Sequence, residues 1–532
     1  MAGTAHPSRP GPGAGAPDPP AGEPGRAAHP PVPPPPGGAL PGWVAAAVTF
    51  LCSGAVLVLE IVGLRLIAPY VGVTLQTSTA VIGFALAAIA LGAYTGGLTA
   101  DRTDPRRLIA SLMVGGGALV VAVLPLVRFT GSLLTGTDAG GVLLLAAVAV
   151  VVPAALLSAV PPMVVKLQLA TLTETGSVVG RLSGIGTLGG IAATFATGFL
   201  LVAVLPSSVI LVATGLLTVA AGAAVGVLLR RRAGAGTGRV PAHLLVLAVA
   251  GSLLAAVAPT PCEEETAYHC ARVVADPGDD SGRVLVLDTL RHSYVDLDDP
   301  THLEFEYVRA IAAAVRASAP AGEPLSALHV GGGGMTLPRY LADVRPGTQS
   351  RVLEVDPGVV AIDREQLGLA TSDDLRVEVV DGRVGLGTEA PGGRDVVVGD
   401  AFGGLSVPWQ LTTREAMELV DAALADDGVY AVNLIDHPPL DFVRAELATM
   451  RAVWPHVLLL ARAPVLAGDD GGNLVAVASR SPLPAERLTA TLPDFDLAWH
   501  VAEGAELDAF VGDARVLTDD FAPVDQLLTP YG

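Results

Sequence analysis

The stretch SALHVGGGGMTLPRYL (Ser326–Leu341), followed by SRVLEVDPGVV (Ser350–Val360), decides how the C-terminal half of this chain is read. The first piece reads as a buried strand, a glycine turn and a helix. The second reads as another strand, ending in carboxylates. Glycine lets backbone approach a ligand closely because no Cβ stands in the way. A carboxylate at the tip of the second strand can accept hydrogen bonds from both hydroxyls of a ribose. Together they imply an α/β domain shaped for a nucleoside.

The alternation continues on both sides. Residues 264–305 alternate apolar and polar, as in RVLVLD (Arg283–Asp288) and HSYVDL (His292–Leu297), which predicts a small antiparallel sheet. A helix is expected over 303–317. Strands are expected at Leu325–Val330, Val352–Val355, Leu375–Val380, Asp395–Gly399, Val429–Leu434, Val457–Leu460 and Leu474–Ala478. TTRE (Thr412–Glu415) has capping-box spacing before a helix. This succession predicts a doubly wound sheet with ligands at the carboxyl strand ends. The candidate ligand groups all fall there: Gly331, Gly332, Gly333 and Gly334 after the first strand, Glu354 and Asp356 after the second, Asp381 and Gly382 after the third, Asp400 after the fourth. One glycine loop or one helix-capping Asp is weak evidence; four such groups at matching positions are much stronger.

These residues carry a resemblance. LDTLRHSYVDLDDPTHLEFEY, VGGGG, LEVDP, VVDGR, VVVGDAF, LTTREAMELV and the tail LTDDFAPVDQL make residues 264–530 similar to the spermidine synthase (polyamine aminopropyltransferase) family. The whole chain resembles bacterial fused membrane–spermidine-synthase-like proteins. The resemblance implies a small β subdomain at 261–320, with a linking helix, and a Rossmann-like methyltransferase-type domain at 321–532. It implies transfer of an aminopropyl group from decarboxylated S-adenosylmethionine to a polyamine such as putrescine, releasing methylthioadenosine, with no metal. By position, Glu354 would hold the ribose, while Asp381 and Gly382 would meet the adenine edge. His292 and Tyr307 would lie on the substrate side, and Asp400 would be the catalytic carboxylate. Asp519 and Asp520 would close over the site, or simply cap a turn. Trp409 is expected beneath its loop.

Two positions depart from the family. Gly334 stands where the family has an Asp that binds the amine of the transferred chain. Gly403 stands where it has the Asp that deprotonates the attacking amine. A protonated amine is no nucleophile until a base removes a proton. Two further readings therefore stay open: a transport or sensing protein that binds polyamine or nucleoside without chemistry, and an S-adenosylmethionine-dependent methyltransferase. The sequence shows no nucleophile elbow, Walker loop or metal cluster.

The chain has 532 residues, 16% of them charged, and a net charge of −20. Its mean hydropathy, +0.55, is too high for an ordinary soluble protein. The apolar excess is confined to 43–259, which carries eleven Arg and Lys against five Asp and Glu. The acidic surplus lies beyond it, which argues against nucleic acid as a partner. Residues 1–42 are Pro/Gly/Ala-rich and are expected to be a disordered tail, not a signal peptide.

The region 43–260 reads as a multi-pass α-helical membrane domain, with the lipid bilayer as partner. Seven spans are expected, near 43–67, 76–100, 108–128, 139–160, 183–205, 207–229 and 241–259, with 161–182 the least clear stretch. Frequent Gly suits close helix packing. GGLTADRTDPRR (Gly96–Arg107) resembles a loop of major facilitator transporters, and a turn capped by Asp101 explains it equally well. Basic residues crowd alternate loops: Arg102, Arg106 and Arg107; Lys166 and Arg181; Arg230, Arg231, Arg232 and Arg239. The positive-inside rule then places the N-terminus in the cytoplasm, and seven crossings place the C-terminal domain outside a cell membrane. There Cys262 and Cys270 could pair; metal ligation is disfavoured, since His269 alone lies near and the spacing fits no common zinc pattern. That placement conflicts with a cytoplasmic nucleoside pool. Cys52 is expected to be a buried small residue, Glu60 a helix–helix hydrogen-bonding group, and Arg65 a side chain reaching for the interface. A homo-oligomer is compatible with the sequence.

Overall fold

The structure is a computed structural model, and it describes residues 40–72, 75–134, 139–169, 175–234, 236–404 and 406–529. The expected N-terminal tail lies almost wholly outside the described residues.

Six helices are long and apolar enough to cross a membrane: Gly42–Val71, Leu75–Arg102, Ile109–Gly131, Gly140–Gln168, Thr175–Val204 and Ser207–Arg232. A shorter apolar helix, Ala242–Val257, spans 16 residues. The ambiguous stretch 161–182 adds no further crossing. Its first half continues the fourth helix past Pro161, and its second half opens the fifth. The first and fifth helices approach closely enough that a Cβ on Gly189 would fall 2.3 Å from the Phe50 carbonyl oxygen. Asp104, not Asp101, caps the turn at Pro105–Arg107, and Asp101 pairs with Lys166 at 2.6 Å.

The bundle has two chemically distinct ends. At one, the Gly238 amide donates to the Arg106 carbonyl, Arg230 Nε donates to the Gly238 carbonyl, and Ser111 donates to that of Arg239. The third helix starts beside Arg107 and ends at Arg128 on the opposite end. There Arg128 donates to the Ala255 carbonyl and faces Glu265 at 3.6 Å. The helix Ala242–Val257 thus carries the chain from the arginine-rich end to the end that bears the α/β region.

Four strands come first, β1 (Glu264–Glu265), β2 (Cys270–Asp276), β3 (Asp279–Leu287) and β4 (Leu290–Asp296), forming an antiparallel sheet in that order. Cys262 and Cys270 are joined by a disulfide at its edge. The helix Glu306–Ser318 leads into an eight-stranded sheet: β5 (Ser326–Val330), β6 (Gln349–Glu354), β7 (Leu375–Val379), β8 (Arg394–Gly399), β9 (Leu424–Asp436), β10 (His456–Arg462), β11 (Gly472–Ser479) and β12 (Trp499–Ala502). The spatial order is β12-β10-β11-β9-β8-β5-β6-β7. Strands β5 to β9 pair in parallel, while β9–β11, β10–β11 and β10–β12 are antiparallel. The reason is connection length: a parallel crossover needs about a dozen residues or more, and β10 is joined to β11 by only a short helix and turn.

Alternate residues serve opposite faces. Val397 packs with Leu328, Leu434 and Phe442 on one side, while Val396 and Val398 pack with Ile311 and Val315 on the other. Each such fully buried side chain contributes about 2 kcal/mol. With both faces covered, open space is left at the strand ends. The order reverses at β5, whose neighbours β6 and β8 lie on opposite sides, so the carboxyl ends of β5 and β8 open a crevice.

Candidate functional site

Two cavities meet at that crevice. The first, about 370 Å³, is lined by Gly331, Gly332, Gly333, Glu354, Asp381, Gly382 and Asp400 from the sheet, and by Tyr268, His269, Asp288 and His292 from the small β subdomain. The second, about 420 Å³, is lined by Glu304, Glu306, Tyr307, Asn433, Arg462, Asn473 and Trp499. His292, Gly333, Asp400, Phe402 and Gly404 line both and form the junction.

The glycine turn is built for close approach. Gly331 has φ +97°, and a Cβ there would lie 2.0 Å from the Asp400 carbonyl oxygen, so only glycine lets the ends of β5 and β8 meet. Glu354 is 8% exposed. One of its carboxylate oxygens accepts the Gly332 amide and the other the Asp356 amide, both at 2.9 Å. Burial raises its pKa against the pull of those two donors. Each oxygen keeps a further lone pair for a ligand. Asp381 caps the helix Gly382–Leu386 by accepting the Val384 amide at 3.1 Å, which fixes its side chain, and it lines the same cavity as Glu354.

Gly334 differs from its three neighbours. It lines neither cavity, and its amide donates instead to Asp363 at 3.0 Å. Its φ is +74°, and a Cβ there would meet Ser293 Oγ at 2.2 Å. Gly334 is expected among the cofactor-binding glycines; the turn instead aims its Cα substituent at Ser293 of the small subdomain. Position 403 is the opposite case, since a Cβ on Gly403 would meet nothing nearer than Pro408 Cγ at 3.9 Å.

Asp400 sits at the junction. It accepts from the Tyr307 hydroxyl at 3.1 Å and from Asn433 Nδ2 at 2.9 Å, while Asn433 Oδ1 accepts from Asn473 Nδ2 at 2.9 Å. Burial pushes the Asp400 carboxyl up to about 6, with both hydrogen bonds opposing. His292 Nε2 is buried without a partner among the described residues. Burial, with His269 beside it, pushes His292 down to about 4, so its ring is neutral. For His269, burial acts downward, but the Asp288 carboxylate, 2.9 Å from Nδ1, outweighs it and raises the pKa.

Gly331, Gly332, Gly333, Glu354, Asp381, Gly382, His292, Tyr307 and Asp400 line one or both cavities, whereas Asp356 is fully buried and Asp520 lines neither. Asp519 also lies outside both, held by Arg383 at 2.9 Å and by the Thr413 hydroxyl at 2.6 Å. Trp409 is 51% exposed rather than buried. The expected capping box does not form: Thr413 is the cap, and Ala416 stands three residues on. Sequence reasoning missed Tyr268, His269, Asp288, Glu306, Asn433, Asn473 and Trp499. Asn433 carried a legible signal, a lone amide inside the apolar run VYAVNLI.

No protein-family model matches the chain. A polyamine aminopropyltransferase of Vibrio vulnificus is 29% identical over 225 residues, 38% of this chain and 70% of that protein. Over part of its length the chain is similar to polyamine aminopropyltransferases. The eEF1A lysine and N-terminal methyltransferase of Mus musculus is 31% identical over 121 residues, 21% of this chain and 17% of that protein. A probable spermidine synthase from Corynebacterium glutamicum aligns with 50% of this chain and 98% of its own, at 29% identity and a TM-score of 0.46. A polyamine aminopropyltransferase of Chromobacterium violaceum is matched over 53% of its length.

Proposed function

We propose that the protein is a membrane-anchored, spermidine-synthase-like transferase that moves an aminopropyl group from decarboxylated S-adenosylmethionine to a polyamine such as putrescine. The observation that carries this reading is the pair of cavities joined at Asp400. One is walled by glycine backbone, Glu354 and Asp381, and the other by Glu304, Glu306 and aromatic rings. The donor supplies a sulfonium-activated carbon, which takes the amine nitrogen as its bond to sulfur breaks. Glu354 accepts the ribose hydroxyls, and Asp381 and Gly382 meet the adenine edge. Glu304 and Glu306 of the second cavity, whose lining also carries Arg291 and Arg462, hold the cationic amine near the junction, which saves the entropy of bringing two reactants together. Asp400 takes the proton of the attacking amine, and Tyr307 and Asn433 hold its carboxylate in place.

The test is product mass. Full-length protein given the decarboxylated donor and putrescine should yield methylthioadenosine and spermidine in equal amounts. A product heavier by one methyl would mean methyl transfer, and ligand uptake with no product would mean a binding protein. That last reading gains support from the bare positions Gly334 and Gly403.

We also infer that the α/β region faces the outside of the cell membrane, because it sits at the bundle end opposite Arg106, Arg230 and Arg239. A C-terminal alkaline phosphatase fusion should then be active in intact cells, and an inactive fusion with an active cytoplasmic reporter would reverse the orientation. An outside placement requires the nucleoside donor to be available there, so an active phosphatase fusion would count against synthesis from a cytoplasmic pool.

A further inference from the structure

The wall of the first cavity that comes from the small β subdomain is held by the membrane bundle. Arg65, in the first membrane helix, donates from Nε to Ser207 Oγ at 2.9 Å and from its terminal nitrogens to the carbonyls of Thr266, at 2.7 Å, and Ala267. Beside it, Glu265 accepts the Ser208 amide at 3.0 Å and faces Arg128. Three membrane elements therefore grip the segment 265–267. That segment leads directly into Tyr268 and His269, which line the cavity.

The grip continues inward through buried groups. Thr266 is 6% exposed, and its hydroxyl accepts the His269 amide at 2.8 Å while bonding the carboxylate of Asp356, which has no exposed surface. The Asp356 amide donates to Glu354 at 2.9 Å, and the second Glu354 oxygen takes the Gly332 amide. An unbroken hydrogen-bonded chain thus runs from Arg65 through Thr266, Asp356 and Glu354 to the glycine turn. Buried polar groups of this kind are costly to leave unmatched, so each fixes the next.

We propose that Arg65 is a positioning residue for nucleoside binding: the membrane domain is a structural part of the cofactor site, setting the Thr266–His269 wall and, through Asp356, the Glu354 carboxylate. This rests on the reading that the first cavity takes a nucleoside. It gives the bundle a role beyond anchorage, since anything that shifts the end of the first helix relative to Ser207 also shifts one wall of the cavity.

The experiment is calorimetric titration of methylthioadenosine into full-length protein in detergent, for wild type, Arg65→Ala, Arg65→Lys, Asp356→Asn and the double variant Arg65→Ala/Asp356→Asn. Arg65→Ala should weaken binding about tenfold, the loss expected for one charged hydrogen-bonding group, and Arg65→Lys should restore part of it. The double variant should bind no more weakly than the worse single one, because both cut the same chain. Ser207→Ala, which removes one hydroxyl and frees Arg65 Nε, should weaken binding in the same direction with an unchanged melting temperature, and it decides the matter if Arg65→Ala does not fold. In turnover, the KM for the donor should rise while kcat holds. Wild-type affinity in Arg65→Ala or Ser207→Ala, or losses that simply add in the double variant, would overturn the proposal. A wild-type protein that binds no nucleoside at all would overturn the reading of the cavity together with it.

Discussion

The two cavities that share Asp400 are assembled in different ways. The first is built largely from strand ends that the chain supplies as compact motifs: Gly331–Gly333 follow β5, Glu354 ends β6 and Asp381 comes just after β7. The second draws on the entry to the helix Glu306–Ser318 and on strands β9, β11 and β12, and its polar groups are tied by side-chain bonds such as Asn473 to Asn433. Of the groups expected at the first cavity, Gly331, Gly332, Gly333, Glu354, Asp381, Gly382 and Asp400 line it, while Gly334 and Asp356 do not. The second cavity, the proposed acceptor end, has Gly403 nearby, where the resemblance implied a carboxylate, and shares Asp400 with the first at the junction. A compartment can thus be built on local motifs while its neighbour is assembled from distant strands.

The sharpest way to separate the compartments is Asp400→Asn. Turnover should fall about a thousandfold, the scale of a lost general base, while nucleoside affinity stays within about twofold. The sign of the pH dependence follows from the raised carboxyl. Only the ionised form accepts a proton, so the rate should climb as pH rises through about 6 and be lost below it. Asp400→Asn should abolish that limb. A steady-state pH profile on both proteins reads this out, and an unchanged profile would assign the base elsewhere. Glu354→Gln addresses the other compartment: affinity for methylthioadenosine should drop about a hundredfold by calorimetry, since a charged acceptor of two hydroxyl bonds is lost.

The glycine departures sharpen the comparison further. Position 403 is open, so Gly403→Asp should fold normally and raise turnover about tenfold if a second carboxylate is what the acceptor end lacks. A fall in turnover would mean that the acceptor end is adapted to a bare position. Gly334→Asp should do the reverse. Its positive φ and the Ser293 side chain 2.2 Å from a Cβ make it destabilising by about 2 kcal/mol, measurable as a lower melting temperature, with no gain in activity.

The legibility of the sequence follows the same divide. Strands β5 to β9 and their terminal groups could be read because hydrophobic period and turn chemistry are local. β12 was missed because WHVA (Trp499–Ala502) is short and carries a half-polar pattern, and its pairing with β10 is set by tertiary register. His269 and Asp288 were missed for a similar reason. They lie 19 residues apart, and only the hairpin register of β2 on β3 brings them together. In the apolar helical region, hydropathy found the helices but could not show that Arg65 reaches Thr266, 201 residues further along the chain. Trp409 and Thr412 show the limit of motif reading, since one exposed ring and one shifted cap were decided by packing.

Direct titration of wild-type protein with methylthioadenosine tests the central claim, that bare backbone and two carboxylates at one rim of the sheet hold an adenosine. Saturable binding of one nucleoside per chain, lost in Glu354→Gln and kept in Asp400→Asn, is the expected result. No binding of methylthioadenosine, S-adenosylmethionine or its decarboxylated form would contradict it.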